Sequence, residues 1–201
     1  MESQYSRTAD GMENNTGVKK DNNSEKTKRG RSIDFILRIL SMALTLVAAI
    51  LAGTNKETQV VPFTISQTLP PLNIPVTAKW HYLSAFVFYV VSNAVACSYA
   101  AISLLFSILS PEGESALTLT IIILDVVIMG LLFSADGAVA SIGVISLKGN
   151  SHVQWGKVCN VFHKFCNNML VSGALSFLGS CVFLLLIVLS ILNIHKKSRQ
   201  M

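Results

Sequence analysis

Four long apolar runs constrain what this chain can fold into more than any other feature of its sequence. They cover residues 33–53, 82–110, 116–147 and 165–194, and each reaches the length of about 20 residues that a helix needs to cross the hydrocarbon core of a bilayer. The spans themselves are predicted at about 33–53, 82–110, 116–140 and 169–193. A helix is expected at each run because hydrocarbon offers no water to satisfy backbone N–H and C=O groups. The sequence therefore predicts an all-α integral membrane protein, a bundle of four transmembrane helices.

The distribution of basic residues predicts how this bundle is oriented. Seven Lys and Arg residues precede the first run and three follow the last, whereas five lie in the loops after the first and third runs. Because basic residues near the ends of spans are held on the cytoplasmic side, both termini are expected in the cytosol. Since 51% of the chain is hydrophobic, its net charge of +5 describes topology and weak attraction to membrane lipid rather than nucleic-acid binding.

The segments outside the runs complete the predicted organisation. Residues 1–32 are polar and have no apolar periodicity, which predicts a disordered cytosolic tail. The four-span membrane domain follows at 33–194, and a cytosolic basic tail at 195–201. Outer loops are expected at 54–80 and 148–168; the first has four prolines and no helical pattern, which is typical of an extended segment.

Two charged residues lie inside the apolar runs, Arg38 in the first and Asp125 in the third. A carboxylate near the bilayer interior costs about 2.5 to 3.5 kcal/mol and normally faces protein or water. Both residues fall in the inner halves of spans that run in the same direction, which favours a structural Arg38–Asp125 pair that fixes helix register. Alternatively, Arg38 reaches back to the cytosolic interface and pairs with Asp34. A second acid, Asp136, is interpreted as a solvated residue at the far end of the span.

The second outer loop carries the other candidate site residues. Cys159 and Cys166 are seven residues apart on a face expected to be oxidising, which predicts a local disulfide. Zinc binding by these cysteines with His152 and His163 is disfavoured because the spacing matches no standard zinc site, and no metal or cofactor is expected. We expect the loop, braced by the disulfide, to present a partner surface that includes three aromatic residues, Trp155, Phe162 and Phe165.

Together these features resemble the plant Casparian strip membrane domain protein family, and most closely its CASP-like proteins of the type-one group. The resemblance covers about residues 33–197 and is carried by Arg38 in the first span and by Leu-Asp-Val-Val-Ile-Met-Gly-Leu-Leu at 124–132. It is also carried by the second outer loop, which contains Lys148-Gly149-Asn150, Trp155, Val158-Cys159 and Phe165-Cys166.

The resemblance implies a location and a set of partners. Members of the family are plasma-membrane tetraspans, related to MARVEL-domain proteins, that associate as homo- and heterodimers and can form an immobile scaffold. In the founding members this scaffold marks where extracellular wall-modifying enzymes act. The short motif that those members carry in the first outer loop is not found in residues 60–80, so the resemblance implies the scaffold role rather than a Casparian strip role.

The function predicted from the sequence is thus an oligomerising membrane scaffold without catalysis. A small-solute or ion carrier that uses Asp125 is the first alternative, but the second and fourth spans contain no further ionisable group of the kind a relay needs. An enzyme embedded in the membrane is the second alternative. It is disfavoured because the sequence has no His-rich metal cluster, serine-elbow motif or phosphate-binding glycine loop.

Overall fold

The computed structural model of the chain describes residue 30 and residues 32–63, 72–109, 115–153 and 156–198. The compact unit that holds the bundle begins at Leu37. Trp155 and most of the predicted N-terminal tail lie outside the described residues.

Four helices form the framework of the structure: α1 Ser32–Gly53, α2 Ser84–Leu109, α3 Ser115–Lys148 and α4 His163–Ser198. All four are long and apolar enough to cross a membrane. Many large apolar side chains on their outer faces are exposed, among them Ile50, Leu105, Val127 and Leu185, as expected where the surrounding medium is lipid. The prediction of a four-helix membrane fold is confirmed.

Two of the helices are longer than the predicted spans. The spans at 116–140 and 169–193 correspond to helices α3 and α4, which have 34 and 36 residues. At 1.5 Å per residue each is about 50 Å long, whereas the hydrocarbon core is about 30 Å thick. The predicted spans are limited to the length that crosses the hydrocarbon, whereas each helix continues through the rest of its apolar run.

The segment between α1 and α2 forms a β-hairpin, which the all-α prediction did not include. Strands β1 Lys56–Phe63 and β2 Leu72–Lys79 pair antiparallel, with Val60 opposite Pro75. A hydroxyl pair, Thr58 and Thr77, lies across the two strands at 3.0 Å between Oγ1 atoms. The segment is extended, as expected from its prolines, but its two halves are hydrogen-bonded to each other. We call this end of the bundle the hairpin end and the opposite end the tail end.

Apolar side chains form two clusters inside the bundle. The hairpin-end cluster comprises Ala52, Phe86, Tyr89, Ala135, Val139, Phe162, Phe165 and Met169. The tail-end cluster comprises Ala96, Ala100, Ile128, Leu132, Phe183 and Leu186. Each cluster contains residues of α2, α3 and α4, so side chains of these three helices meet at both ends of the bundle.

Small polar residues line the contact between α1 and α4. Ser172 on α4 donates its hydroxyl to the carbonyl of Ala48 on α1 at 2.8 Å. A Cβ added to Gly179 on α4 would lie only 3.2 Å from Cγ2 of Thr45. Such small residues let the two backbones approach closely, which is the usual way that helices associate in a membrane.

Candidate functional site

The structure brings the two charged residues of the apolar runs together. Arg38 Nη2 on α1 lies 3.4 Å from Asp125 Oδ2 on α3. The two side chains are 4% and 0% exposed. Two residues of α2 complete the arrangement, because Arg38 Nη1 donates to Ser103 Oγ at 2.9 Å and the Tyr99 hydroxyl donates to Asp125 Oδ1 at 2.7 Å. We refer to Arg38, Tyr99, Ser103 and Asp125 as the charge network; it joins α1, α2 and α3.

The hydroxyl groups of Tyr99 and Ser103 each donate their proton to an acceptor within the bundle. The Ser103 hydroxyl donates to the Ala100 carbonyl at 3.0 Å, so a lone pair of its oxygen faces the guanidinium group. The Tyr99 hydroxyl lies 3.1 Å from the Ile121 carbonyl as well as 2.7 Å from the carboxylate, and its proton is shared between these two acceptors. The acid therefore has a bonded partner at each of its two oxygens.

Sequence reasoning did not identify Tyr99 and Ser103, although a signal for both is present. They are four residues apart on α2 and so lie on one helix face. Counted from the hairpin end, Tyr99 is 15 residues after the first residue of α2 and Arg38 is 15 residues before the last residue of α1. Equal numbers of residues place the two side chains at about the same depth, because each helical residue rises about 1.5 Å.

A disulfide joins Cys159 and Cys166 at the hairpin end, as the sequence predicted. Cys159 lies in the short 3₁₀ turn Val158–Asn160 and Cys166 in the first turn of α4, with 5.7 Å between their Cα atoms. Since both sulfurs are bonded to each other, neither is available as a thiolate ligand for zinc. In the described part of the chain no group of three His, Cys, Asp or Glu side chains could hold a metal ion.

Two of the three aromatic residues that were predicted to form the partner surface are buried in the structure. Phe162 and Phe165 are each only 7% exposed and belong to the hairpin-end cluster. The Phe165 ring packs against Phe86 of α2, with 5.8 Å between ring centres. Both side chains therefore contribute to the packing of the bundle instead of facing a partner. Trp155, the third residue, lies outside the described residues.

Polar contacts bind the base of the hairpin to the N-terminus of α4. The Phe165 backbone N–H donates to Glu57 Oε2 of β1 at 2.7 Å. The Asn55 side-chain amide donates to the Phe165 carbonyl at 2.9 Å and accepts from the Asn168 amide at 3.3 Å. Glu57 thus satisfies one of the backbone N–H groups that a helix N-terminus leaves unpaired, and its charge interacts favourably with the helix dipole.

The environment of Glu57 lowers its pKa below the ordinary value. Partial burial, the largest single influence, raises the pKa of this carboxyl. The hydrogen bonds from the Gln59 side chain and the Phe165 N–H, with the charges of Lys164 and His163, together lower it by more. Glu57 therefore stabilises the folded chain in its charged form.

The interpretation of Asp136 as a solvated end residue is wrong. Helix α3 continues for twelve residues beyond it, to Lys148. The side chain is half-buried, and Oδ2 accepts a hydrogen bond from the Ser180 hydroxyl of α4 at 3.3 Å. Asp136 therefore contacts α4 within the bundle, three turns along α3 from Asp125.

Comparison with known proteins identifies the family to which these features belong. The Casparian strip membrane protein domain matches residues 27–182. The chain is 53% identical to "CASP-like protein 1E1" of Vitis vinifera over 201 residues, which cover 98% of each chain. It is 48% identical to "CASP-like protein 1E1" of Ricinus communis over 200 residues, or 99% of this chain and 100% of the relative.

The similarity extends to more distant plants but not to any known structure. The chain is 44% identical to "CASP-like protein 1E1" of Arabidopsis thaliana over 195 residues, which cover 96% of this chain and 100% of the relative. No solved structure matches the chain. The matched domain includes all of the charge network and the disulfide. The chain therefore belongs to the Casparian strip membrane protein domain family, as a membrane protein with four helices able to span the bilayer.

Proposed function

We propose that this protein is a plasma-membrane scaffold, without catalytic activity, that associates with copies of itself and with related tetraspans to organise a membrane domain. The observation that carries the proposal is the closure of the charge network. Asp125 is fully buried and each of its oxygens accepts a hydrogen bond, one from Arg38 and one from Tyr99. A carrier needs an acid that its substrate can reach, whereas a closed pair between helices fixes their register.

Orientation follows from two further features. A disulfide such as Cys159–Cys166 persists in an oxidising compartment, and the basic tails favour the cytosol. The hairpin end then faces the cell exterior and both termini are cytosolic. In this orientation the hairpin is the part of the scaffold nearest to extracellular wall-modifying enzymes, which we propose as partners.

Lateral mobility tests the scaffold directly. We would tag the full chain with a fluorescent protein and measure recovery after photobleaching in a plant plasma membrane, for wild type and for Asp125→Asn. Slow recovery in wild type that quickens in the variant is expected, because loss of the charge loosens the register of α1 and α3. Fast recovery in wild type would overturn the scaffold.

A milder pair of variants separates loss of scaffolding from loss of folding. Tyr99→Phe removes one hydroxyl from the charge network, whereas Ser98→Ala removes an exposed hydroxyl that bonds only within α2. Tyr99→Phe is expected to quicken recovery and Ser98→Ala to leave it unchanged. If purified protein in liposomes instead carried a proton flux that Asp125→Asn abolished, the protein would be a carrier.

A further inference from the structure

A cleft of about 830 Å³ opens at the hairpin end between α2, α3 and α4. Its walls are almost entirely apolar, with Phe86 from α2, Val139 and Ala140 from α3, and Met169 and Phe177 from α4. Along α4 it extends from His163 to Phe177, which is about 21 Å at 1.5 Å per residue. One leaflet of a bilayer has about 15 Å of hydrocarbon and about 6 Å of head groups. The cleft therefore has the depth of one leaflet with its head-group layer.

The volume of the cleft limits the size of an occupant. A water molecule, or a methylene group of similar size, takes up about 30 Å³, so the cleft has room for about 28 such groups. A lipid with a single long chain has about 20 non-hydrogen atoms and fits this space, whereas two such chains have about 40 and do not. The cleft therefore holds one lipid chain.

The polar groups at the hairpin end of the cleft are basic. Lys79, the last residue of β2, and His163, the first residue of α4, both line the cleft. The Lys79 ammonium lies 5.7 Å from the centre of the Tyr82 ring. Within the described part of the chain no carboxylate forms an ion pair with this ammonium. An anion at this end of the cleft would therefore meet a cation that no acid of the described residues neutralises.

A second lysine adds positive charge beside the cleft. Lys56 of β1 lies directly opposite Lys79 in the hairpin, and like charges that face each other across two strands are destabilising. Glu57, the neighbouring acid, projects from the other face of β1, and its Oε2 accepts from the Phe165 N–H. An anionic group bound beside Lys79 would therefore relieve the repulsion between the two lysines.

The deep end of the cleft offers no group that could bind a polar ligand. Asp136 borders this end and is the single acid among the described residues that line the cleft. Its Oδ1 is buried, and its Oδ2 accepts from the Ser180 hydroxyl of α4. Recognition of a polar group is therefore confined to the hairpin end, and the rest of the cleft suits hydrocarbon.

We infer that the cleft binds one long-chain carboxylate, the anion of a fatty acid. The carboxylate lies beside Lys79 and His163, and the chain follows α4 toward Phe177. A single carboxylate matches the single lysine that lines the cleft, and a single chain matches its volume. The site shares no residue with the charge network, so it can be tested separately from the scaffold.

Probes that differ in charge or in chain number test the proposal. We would titrate the purified full chain in detergent at about pH 8.5, where carboxylates and lysines are both charged, and count bound molecules by native mass spectrometry. One palmitate per chain is expected, bound at least tenfold more tightly than hexadecanol, because hexadecanol brings no charge to Lys79. Palmitate is also expected to bind at least tenfold more tightly than dipalmitoylphosphatidylglycerol, which is anionic but has two chains. Equal affinity in either comparison would overturn the proposal.

Two matched pairs of variants assign the binding to the cleft. Lys79→Gln is expected to abolish the preference for palmitate over hexadecanol, whereas Lys157→Gln, which removes an exposed lysine outside the cleft, should leave it unchanged. Gly143 lines the cleft and a Cβ added to it would meet no atom within 4 Å, so Gly143→Leu should fill the cleft and weaken palmitate at least tenfold. Gly137 also faces open space but does not line the cleft, so Gly137→Leu should have no effect. Equal effects within either pair would overturn the site.

Discussion

Removing either member of the Arg38–Asp125 pair is expected to destabilise the protein, but with different dependence on pH. Truncating one partner of a buried ion pair typically costs about 3 to 5 kcal/mol, because the other charge remains buried and unpaired. In Asp125→Leu the guanidinium stays charged at any accessible pH, since arginine does not lose its proton in proteins. Its hydrogen bond to the neutral Ser103 hydroxyl does not neutralise this charge.

Arg38→Met leaves a carboxyl group that can become neutral by taking up a proton. From the ordinary aspartate pKa of about 3.9, protonation costs about 4 kcal/mol at pH 7 and about 1.5 kcal/mol at pH 5. The destabilisation of Arg38→Met, relative to wild type at the same pH, is therefore expected to shrink by up to about 3 kcal/mol over this interval. That of Asp125→Leu is expected to stay constant.

The assay is reversible unfolding of the full chain in bicelles at pH 7 and pH 5, with the double variant Arg38→Met/Asp125→Leu completing the cycle. The double variant is expected to lie within about 1 kcal/mol of wild type, since apolar replacement of a whole buried pair is often neutral. Identical pH dependence of the two single variants, or additive destabilisation in the double variant, would refute the buried pair.

Three further predictions concern the hairpin end and the α1–α4 contact. The pKa of Glu57 is lowered in the folded chain, so its charge stabilises the protein by about 0.5 kcal/mol at neutral pH. This stabilisation is present above the ordinary pKa and is lost as the pH falls through the lowered pKa. The free energy of unfolding of Glu57→Gln is therefore expected to be lower than that of wild type at pH 6 and equal to it at pH 3. Gly179→Leu should lower the free energy of unfolding by about 1 to 3 kcal/mol, because the new side chain would overlap Thr45. Gly130→Leu is the control and should not lower it, because Gly130 faces open space. Equal unfolding free energies of the two variants would contradict the close helix contact. Phe165→Ala should cost about 3 to 5 kcal/mol in the same assay, and a loss below about 1 kcal/mol would contradict its burial.

The helices could be predicted from the sequence because the bilayer imposes them, but the ends of α3 and α4 could not. A run of about 20 apolar residues has one solution in hydrocarbon, a helix whose backbone groups are satisfied internally. The predicted span at 116–140 is limited to the length that crosses the hydrocarbon, but α3 continues through the apolar residues that follow, to Lys148. The same error at the helix end led to the wrong interpretation of Asp136.

Residues at the hairpin end were harder to predict because their roles depend on contacts distant in the sequence. Phe165 is an exposed loop aromatic by local pattern, yet it packs on Phe86, nearly eighty positions away in the sequence. The local sequence around Glu57 indicates only a strand residue, because its partner, the Phe165 N–H at the start of α4, is distant in the sequence. The pairing of β1 with β2 could not be predicted from the sequence either. Pro62 and Pro75 interrupt the pattern of residues that normally indicates a strand.

The two acids of α3 show how position within one helix decides what an acid side chain contacts. Asp125 and Asp136 are eleven residues apart, about three turns, and so share a face of α3. At Asp125 the neighbouring helices supply donors to both oxygens and no space remains. At Asp136 the Ser180 hydroxyl of α4 donates to Oδ2, and the side chain is half-buried. A buried charge whose two oxygens are both bonded by neighbouring helices fixes the register of those helices, whereas the half-buried Asp136 joins α3 to α4 alone. Asp136→Asn, which keeps an oxygen acceptor for Ser180, is therefore expected to destabilise the protein less than Asp125→Asn, and equal losses of unfolding free energy would contradict this difference.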